Sequence, residues 1–478
     1  MKIGTQMSTL SCSLKNREAI LYVHIILICV CTIFYLYLFL NDIFYQKIAE
    51  FLVLFSFGWV YFSSGLLKIP FFHPYRMFLL TLFLYNISGI GLSFLNILDL
   101  FKDLILGGVS NSFYTHSIII EVFACITTFV LFIHLAVILY SYRKVSISTN
   151  TEWRYNRVME KTGIYVFYIF LVPSLYYYYL LIAQYIAAGG YLYQSQVEGT
   201  VNTNILIRIS DDFWFLGLIL ILASKAEIKK ILFPVILYVL VFLLLSFVSG
   251  SRVYFVSLSL AIASYFCFRN LFSPKILIII LAIFVSISMI IGVVRGASDY
   301  EQAFLKMRGE KKSENALIEF ISQQASTMHI IGLTAFYVEN KKIDFSCRYL
   351  YDMLILPTGY IKGKPVGDYY LLSDRLALLT LKSDFSMGAG LGTSIIAEFY
   401  ICGGICAVML LSFIWGLFLM HIYSIAMRSN FYFLCFLLML PGIYYTLRAH
   451  PLYPILSLMQ PLILYGLIIC FRKLAKSN

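Results

Sequence analysis

Apolar residues along this chain come in long blocks, not in the alternation of a half-buried strand. The first block, Ile20 to Leu40, runs for about twenty residues without a formal charge, the length that crosses a hydrocarbon core as a helix. Further blocks follow at Ile48–Leu67, Met77–Asn96, Ile118–Tyr140, Ile164–Tyr185, Phe213–Ala223 (with some residues before it), Ile231–Ser249, Val253–Phe268, Ile276–Val294, Ile395–Met420, Phe431–Leu447 and Leu452–Cys470. Helices satisfy their own backbone polar groups, so they are the default spanning element. The pattern predicts an all-α polytopic membrane protein with about twelve transmembrane helices. Its parts are residues 1–294 (spans 1–9), a hydrophilic stretch at 295–394, and 395–478 (spans 10–12).

The polar positions between the blocks set the orientation. Lys68 and Arg76 follow the second span, and Arg143, Lys144, Arg154, Arg157 and Lys161 follow the fourth. Lys225, Lys229 and Lys230 follow the sixth, Arg269 and Lys275 the eighth, and Arg428 the tenth, while Arg472, Lys473 and Lys476 close the chain. Under the positive-inside rule these even-numbered loops and both termini are cytoplasmic. The first block follows Lys2, Lys15 and Arg17, as a secretory signal core would. It is too long for one, and Asn41-Asp42-Ile43-Phe44-Tyr45 offers no small-residue cleavage site, so an uncleaved anchor is expected. The long stretch 295–394 is then external. Ala316, Leu317, Phe320 and Ile321, and after them Met328, Ile330, Ile331 and Leu333, predict amphipathic helices on the bilayer surface. Lys362-Gly363-Lys364-Pro365 and Asp384-Phe385-Ser386-Met387-Gly388 read as turns.

Composition sharpens this picture. The chain has 478 residues, 61% hydrophobic and 13% charged; a soluble protein carries about 25% charged residues to solvate its surface. The net charge of +12 sits in the short basic loops, which removes the nucleic-acid reading. Ten cysteines lie almost all in or beside apolar blocks, and Cys347 alone falls in the long external stretch, so neither a disulfide framework nor a metal site is expected.

Against that background the external cations stand out. Arg252 in Ser249-Gly250-Ser251-Arg252, Arg295 in Val294-Arg295-Gly296, and Arg448 in Leu447-Arg448-Ala449-His450-Pro451 fall at one depth on the side that the charge rule depletes. Guanidinium forks match phosphate oxygens in pairs, so three of them suit a diphosphate. Each taken singly also reads as a side chain snorkelling to a lipid headgroup. Glu398, in Ile395-Ile396-Ala397-Glu398-Phe399, is a carboxylate among apolar neighbours. It is a candidate general base, or the structural partner of an Arg or Tyr. His329 is a second candidate proton acceptor, although a lone histidine is more often an interfacial polar residue. His116 and His450 are weaker candidates, and His24 and His134 read as helix-packing residues. The run Gly388-Ala389-Gly390-Leu391-Gly392-Thr393-Ser394 suits a helix start capped by Thr393 or Ser394, with N–H groups open to an anion. Tyr176 to Tyr179, Tyr191 and Tyr193 predict an interfacial belt.

Three motifs carry a resemblance. They are Gly250-Ser251-Arg252, Phe320-Ile321-Ser322-Gln323-Gln324-Ala325-Ser326, and Gly390-Leu391-Gly392-Thr393-Ser394 followed by Ile396-Ala397-Glu398-Phe399-Tyr400 and Gly403-Gly404. With them and the large external stretch before the last spans, the chain resembles the O-antigen polysaccharide polymerases, Wzy. The resemblance implies a glycosyltransferase of the bacterial inner membrane that joins undecaprenyl-diphosphate-linked repeat units at the periplasmic face. It implies no cofactor, nucleotide sugar or metal. The implied partners are donor and acceptor lipids, membrane lipids, a chain-length regulator and a flippase. A flippase for lipid-linked oligosaccharide and an O-antigen ligase are the alternatives. A flippase should carry its charges along a midplane cavity, whereas these lie at the outer edge.

Overall fold

The structure, a computed structural model, describes residues 14–41, 45–99, 114–142, 153–187, 205–249, 253–273, scattered positions of 275–290, 316–350, 371–381 and 391–477. The helices are α1 (Leu14–Asn41), α2 (Gln46–Leu66), α3 (Pro74–Phe94), α4 (His116–Tyr142), α5 (Arg157–Ala187), α6 (Ile205–Ala223), α7 (Ile228–Ser249) and α8 (Val253–Phe268). They continue as α9 (Ala316–Ala325), α10 (Met328–Glu339), α11 (Leu372–Thr380), α12 (Ile395–Ile401), α13 (Gly404–Ala426), α14 (Asn430–Tyr445) and α15 (Tyr453–Ser477). Among the described residues nine helices are long and apolar enough to cross a membrane: α1 to α5, α7, α13, α14 (with the turn after it) and α15. Helix α6 has 19 residues but carries Asp211 and Asp212, and α8 has only 16. The expected ninth span, Ile276–Val294, lies largely outside the described residues, as do both expected turns.

Helix α4 is the hub, contacted by α1, α2, α10 and α13, while the outer faces of α1, α2 and α5 expose large apolar side chains such as Ile33, Phe55 and Val172. That is the distribution expected when lipid, not water, is the surrounding solvent. Small residues bring backbones together where packing is the only attraction between helices. A Cβ on Gly163 of α5 would stand 2.8 Å from the Ile221 nitrogen of α6.

The loops expected to be basic gather at one end. Lys225 Nζ donates to the Trp153 carbonyl (3.2 Å), Arg269 Nη1 to the Ala226 carbonyl (2.8 Å), and Asn430 Nδ2 to the Arg154 carbonyl (2.7 Å). The Trp153 ring stacks on Phe433 at 3.8 Å between centroids, beneath Lys225 and Arg269. The loops after the fourth, sixth, eighth and tenth blocks therefore share one face, as alternating spans require.

Two expectations are corrected. The block Ile395–Met420 is not one span. Gly404 adopts a φ of +68°, a left-handed backbone that glycine tolerates, and there the short helix α12 ends and α13 begins. Nor does α10 lie on a bilayer surface. Met328 to Ala335 are all buried, because the helix is apolar around its circumference and packs against α4 and α12. The tyrosine belt is mixed: Tyr176 and Tyr179 are exposed, but Tyr178 is buried and donates to Asp211 at 2.8 Å. Tyr191 and Tyr193 lie outside the described residues.

Candidate active site

The site is built where α12 begins. Gly392, at φ +71°, turns the chain close to the Arg448 carbonyl, which lies 3.8 Å from where its Cβ would be. Ser394 is then extended, and its hydroxyl accepts from the Ile396 N–H at 3.4 Å, so Ser394 is the cap. Thr393 does something else: its hydroxyl donates to Glu398 Oε1 at 2.8 Å. Glu398 falls in the first turn of this seven-residue helix, ahead of span α13 and not within it. The remaining residues of the glycine run, 388–390, lie outside the described residues.

Glu398 is 1% exposed, and among the described residues its second oxygen, Oε2, has no hydrogen-bond partner. Among the described residues the basic group within 4 Å is His450, its Nε2 at 3.9 Å. That imidazole is already committed. Its Nδ1 accepts from the Leu452 N–H at 3.1 Å, so its proton sits on Nε2, which donates to the Tyr349 carbonyl at 2.8 Å. Burial also pushes His450 down to about 4, so it is a neutral neighbour and not a counter-ion. Burial pushes Glu398 up to about 8, the Thr393 hydrogen bond opposing the shift. Among the described residues neither an Arg nor a Tyr is hydrogen-bonded to it. Tyr400 donates instead to Glu121 at 2.6 Å, and Arg448 to Gln324.

Arg448 closes the 3-10 turn Thr446–Arg448 that follows α14, and α12 packs against that turn. Its Nη1 donates to Gln324 Oε1 at 3.2 Å, and its guanidinium lies 5.6 Å from the centre of the Tyr85 ring. Tyr85 belongs to a π-helical turn, Phe83–Ile87, inside α3, on which both α9 and the Arg448 turn pack. Thus Arg448 and Glu398 share one end of the bundle. Arg252 and Arg295 lie outside the described residues.

His329 is also buried here, on α10. Its Nδ1 is hydrogen-bonded to the Tyr114 hydroxyl, with Gly332 leaving room for that ring, and its Nε2 has no partner among the described residues. Burial holds it near 4, too weak a base to compete with Glu398 at neutral pH. Sequence alone missed Thr393 as the partner of Glu398, Tyr349 as the anchor of His450, and Gln324 as the partner of Arg448. A signal for Gln324 existed in the Gln323-Gln324 pair, but the pattern assigned it no role.

These features define a multi-pass helical membrane protein with a buried, under-bonded carboxylate and an arginine gathered at one end of its bundle. The motifs and the architecture belong together in one family: the model of the O-antigen polysaccharide polymerase Wzy matches residues 22–478, and the chain belongs to that family. Its function is accordingly O-antigen polymerisation. Comparison with curated proteins and with solved structures found no match.

Proposed function

We infer that the protein joins oligosaccharide repeat units carried on undecaprenyl diphosphate, at the periplasmic face of the bacterial inner membrane. The observation that carries this reading is the under-bonded Glu398 beside the Arg448 turn, at the end of the bundle opposite the gathered basic loops. Both termini are then cytoplasmic, and residues 295–394 belong to the periplasmic side.

Donor and acceptor lipids enter sideways from the outer leaflet. Arg448, together with Arg252 and Arg295, binds the donor diphosphate, and guanidinium charge takes the place a metal ion would otherwise hold. The acceptor hydroxyl oxygen attacks the anomeric carbon and forms the glycosidic bond. The bond from that carbon to the diphosphate oxygen breaks, and its electron pair leaves with the diphosphate, stabilised by the arginines. The hydroxyl proton passes to Glu398 Oε2, the oxygen left without a partner. A chain-length regulator and a flippase would work beside the enzyme.

The test is reconstitution of the protein in liposomes with purified lipid-linked repeat units, read as a ladder of lengthened chains. Movement of the units across the bilayer without joining would make the protein a flippase. Transfer only onto a lipid A-core acceptor would make it a ligase.

A further inference from the structure

The π-helical turn beneath Arg448 holds a polar group that the reaction above does not use. Asn86 lies within Phe83–Ile87, is fully buried, and among the described residues has no hydrogen-bond partner for either Oδ1 or Nδ2. It is the one side chain among the described residues with two such atoms. An unpaired buried amide destabilises a fold, and Leu is nearly its shape without that penalty. Folding alone therefore gives no reason for the amide. The turn itself is a second, independent signal. The Ser88 N–H reaches back to the Phe83 carbonyl, a widened ring that occurs mostly as single turns inside α-helices and frequently at functional sites.

Its surroundings say which site. Tyr85, the preceding residue, lies under the Arg448 guanidinium, and Gln324, at the end of α9, is bonded to that same arginine. The unmet valences say which ligand. A diphosphate oxygen only accepts, and would leave Oδ1 unpaired. A sugar hydroxyl or acetamido group donates and accepts at once, and meets both atoms of the amide.

We propose that Asn86 is a substrate-binding residue, holding a sugar hydroxyl or acetamido group of the repeat unit whose diphosphate Arg448 binds. Helix α9 packs on this turn, so the contact forms as α9 gives way to the saccharide. The proposal rests on the polymerase reading above and adds to it where the sugar, as distinct from the phosphate, is read.

The experiment uses Asn86→Leu in the full-length protein, reconstituted with lipid-linked repeat units. Thermal melting without substrate is measured in parallel. The expected result is a melting temperature equal to or above that of the wild type, with KM raised roughly tenfold or more, the scale of one lost buried hydrogen bond, and kcat changed less. Binding of undecaprenyl diphosphate without sugars should match the wild type. A lower melting temperature would show that the amide has a structural partner, and would overturn the proposal. So would an unchanged KM, or an equal loss of affinity for the sugar-free lipid. If the wild type itself fails to join repeat units, the polymerase reading falls; if it joins them and Asn86→Leu matches it, only the role of Asn86 falls.

Discussion

Two of the clusters of buried polar side chains in this bundle differ in whether their hydrogen bonds close. Around His24 and His134, where α1, α2, α3 and α4 meet, two runs of bonds leave neither imidazole with an unmet nitrogen. The Tyr75 hydroxyl donates to His134 Nδ1 (2.7 Å), and His134 Nε2 donates to Ser63 Oγ (2.7 Å). Ser63 in turn donates to the Trp59 carbonyl (2.6 Å), Trp59 Nε1 to His24 Nδ1 (3.3 Å), and His24 Nε2 to the Leu131 carbonyl (2.9 Å). Every ring nitrogen is used, and the two runs tie four helices together where water is absent. At the other cluster Glu398 Oε2, His329 Nε2 and both amide atoms of Asn86 are left open. Both clusters contain two histidines and a tyrosine, so residue type does not separate them. A closed network has nothing left to offer a ligand, whereas an open one is held at a cost to stability that a substrate can relieve.

The two clusters differ most in the end of the bundle that each faces. Single cysteines placed in a cysteine-free background near Asp103, Val197 and Lys342 should react with an impermeant thiol reagent added from outside. Those near Asn150, Lys229 and Asn430 should not. This effect is all-or-none, and the reverse labelling would put the open cluster on the wrong face for an outer-leaflet substrate.

Next in size is Glu398→Gln. Gln copies the shape and the neutral form that burial favours, so the fold should hold while turnover drops by roughly a hundredfold or more. The wild type should also show a pH dependence of a definite sign. A carboxyl held at about 8 is mostly protonated at neutral pH, and its base form grows as pH rises through that value. Turnover should climb about tenfold per pH unit below 8 and level off above it. The Gln variant should lose that slope, and near-normal turnover by it would leave His329 as the proton acceptor to test. Arg448→Lys should cost less, roughly tenfold, because an ammonium keeps the charge but cannot make the paired contact or keep the stacking over Tyr85. If Arg448→Lys and Arg448→Gln turn over equally, charge at this position is not what the diphosphate needs.

Much of this was legible in the sequence, for a physical reason. Spans such as Ile118–Tyr140 are defined by composition over twenty residues, a signal too long to be blurred by a local exception, and α4 lies within two residues of it at each end. His24 and His134 were readable as packing residues because they lie in such spans. Glu398 and Arg448 were readable because a charge among apolar neighbours needs an explanation. What could not be read was the pairing. Thr393 is five residues from Glu398, but His450 comes to it from 52 residues on, and Gln324 meets Arg448 across 124 positions. The break at Gly403-Gly404 was also missed, since Ile395 to Met420 has the hydropathy of a single span and only two adjacent glycines mark the interruption.

The smallest expected effect tests the closed cluster. Tyr75→Phe removes one hydroxyl at the head of one run of hydrogen bonds and leaves His134 Nδ1 buried with no donor. An unmet buried acceptor costs about 1–3 kcal/mol, so the melting temperature should fall by a few degrees. No substrate group is supposed to touch this cluster, so KM and kcat per folded molecule should stay within about twofold of the wild type. That is the opposite of the behaviour expected of Asn86→Leu, in which stability is kept and substrate affinity is lost. The two variants together isolate closure as the variable, since each alters one buried polar side chain of α3 at positions eleven residues apart. If Tyr75→Phe instead keeps its melting temperature and lowers turnover, the histidine chain takes part in the reaction, and a closed network would no longer mark the structural half of the molecule.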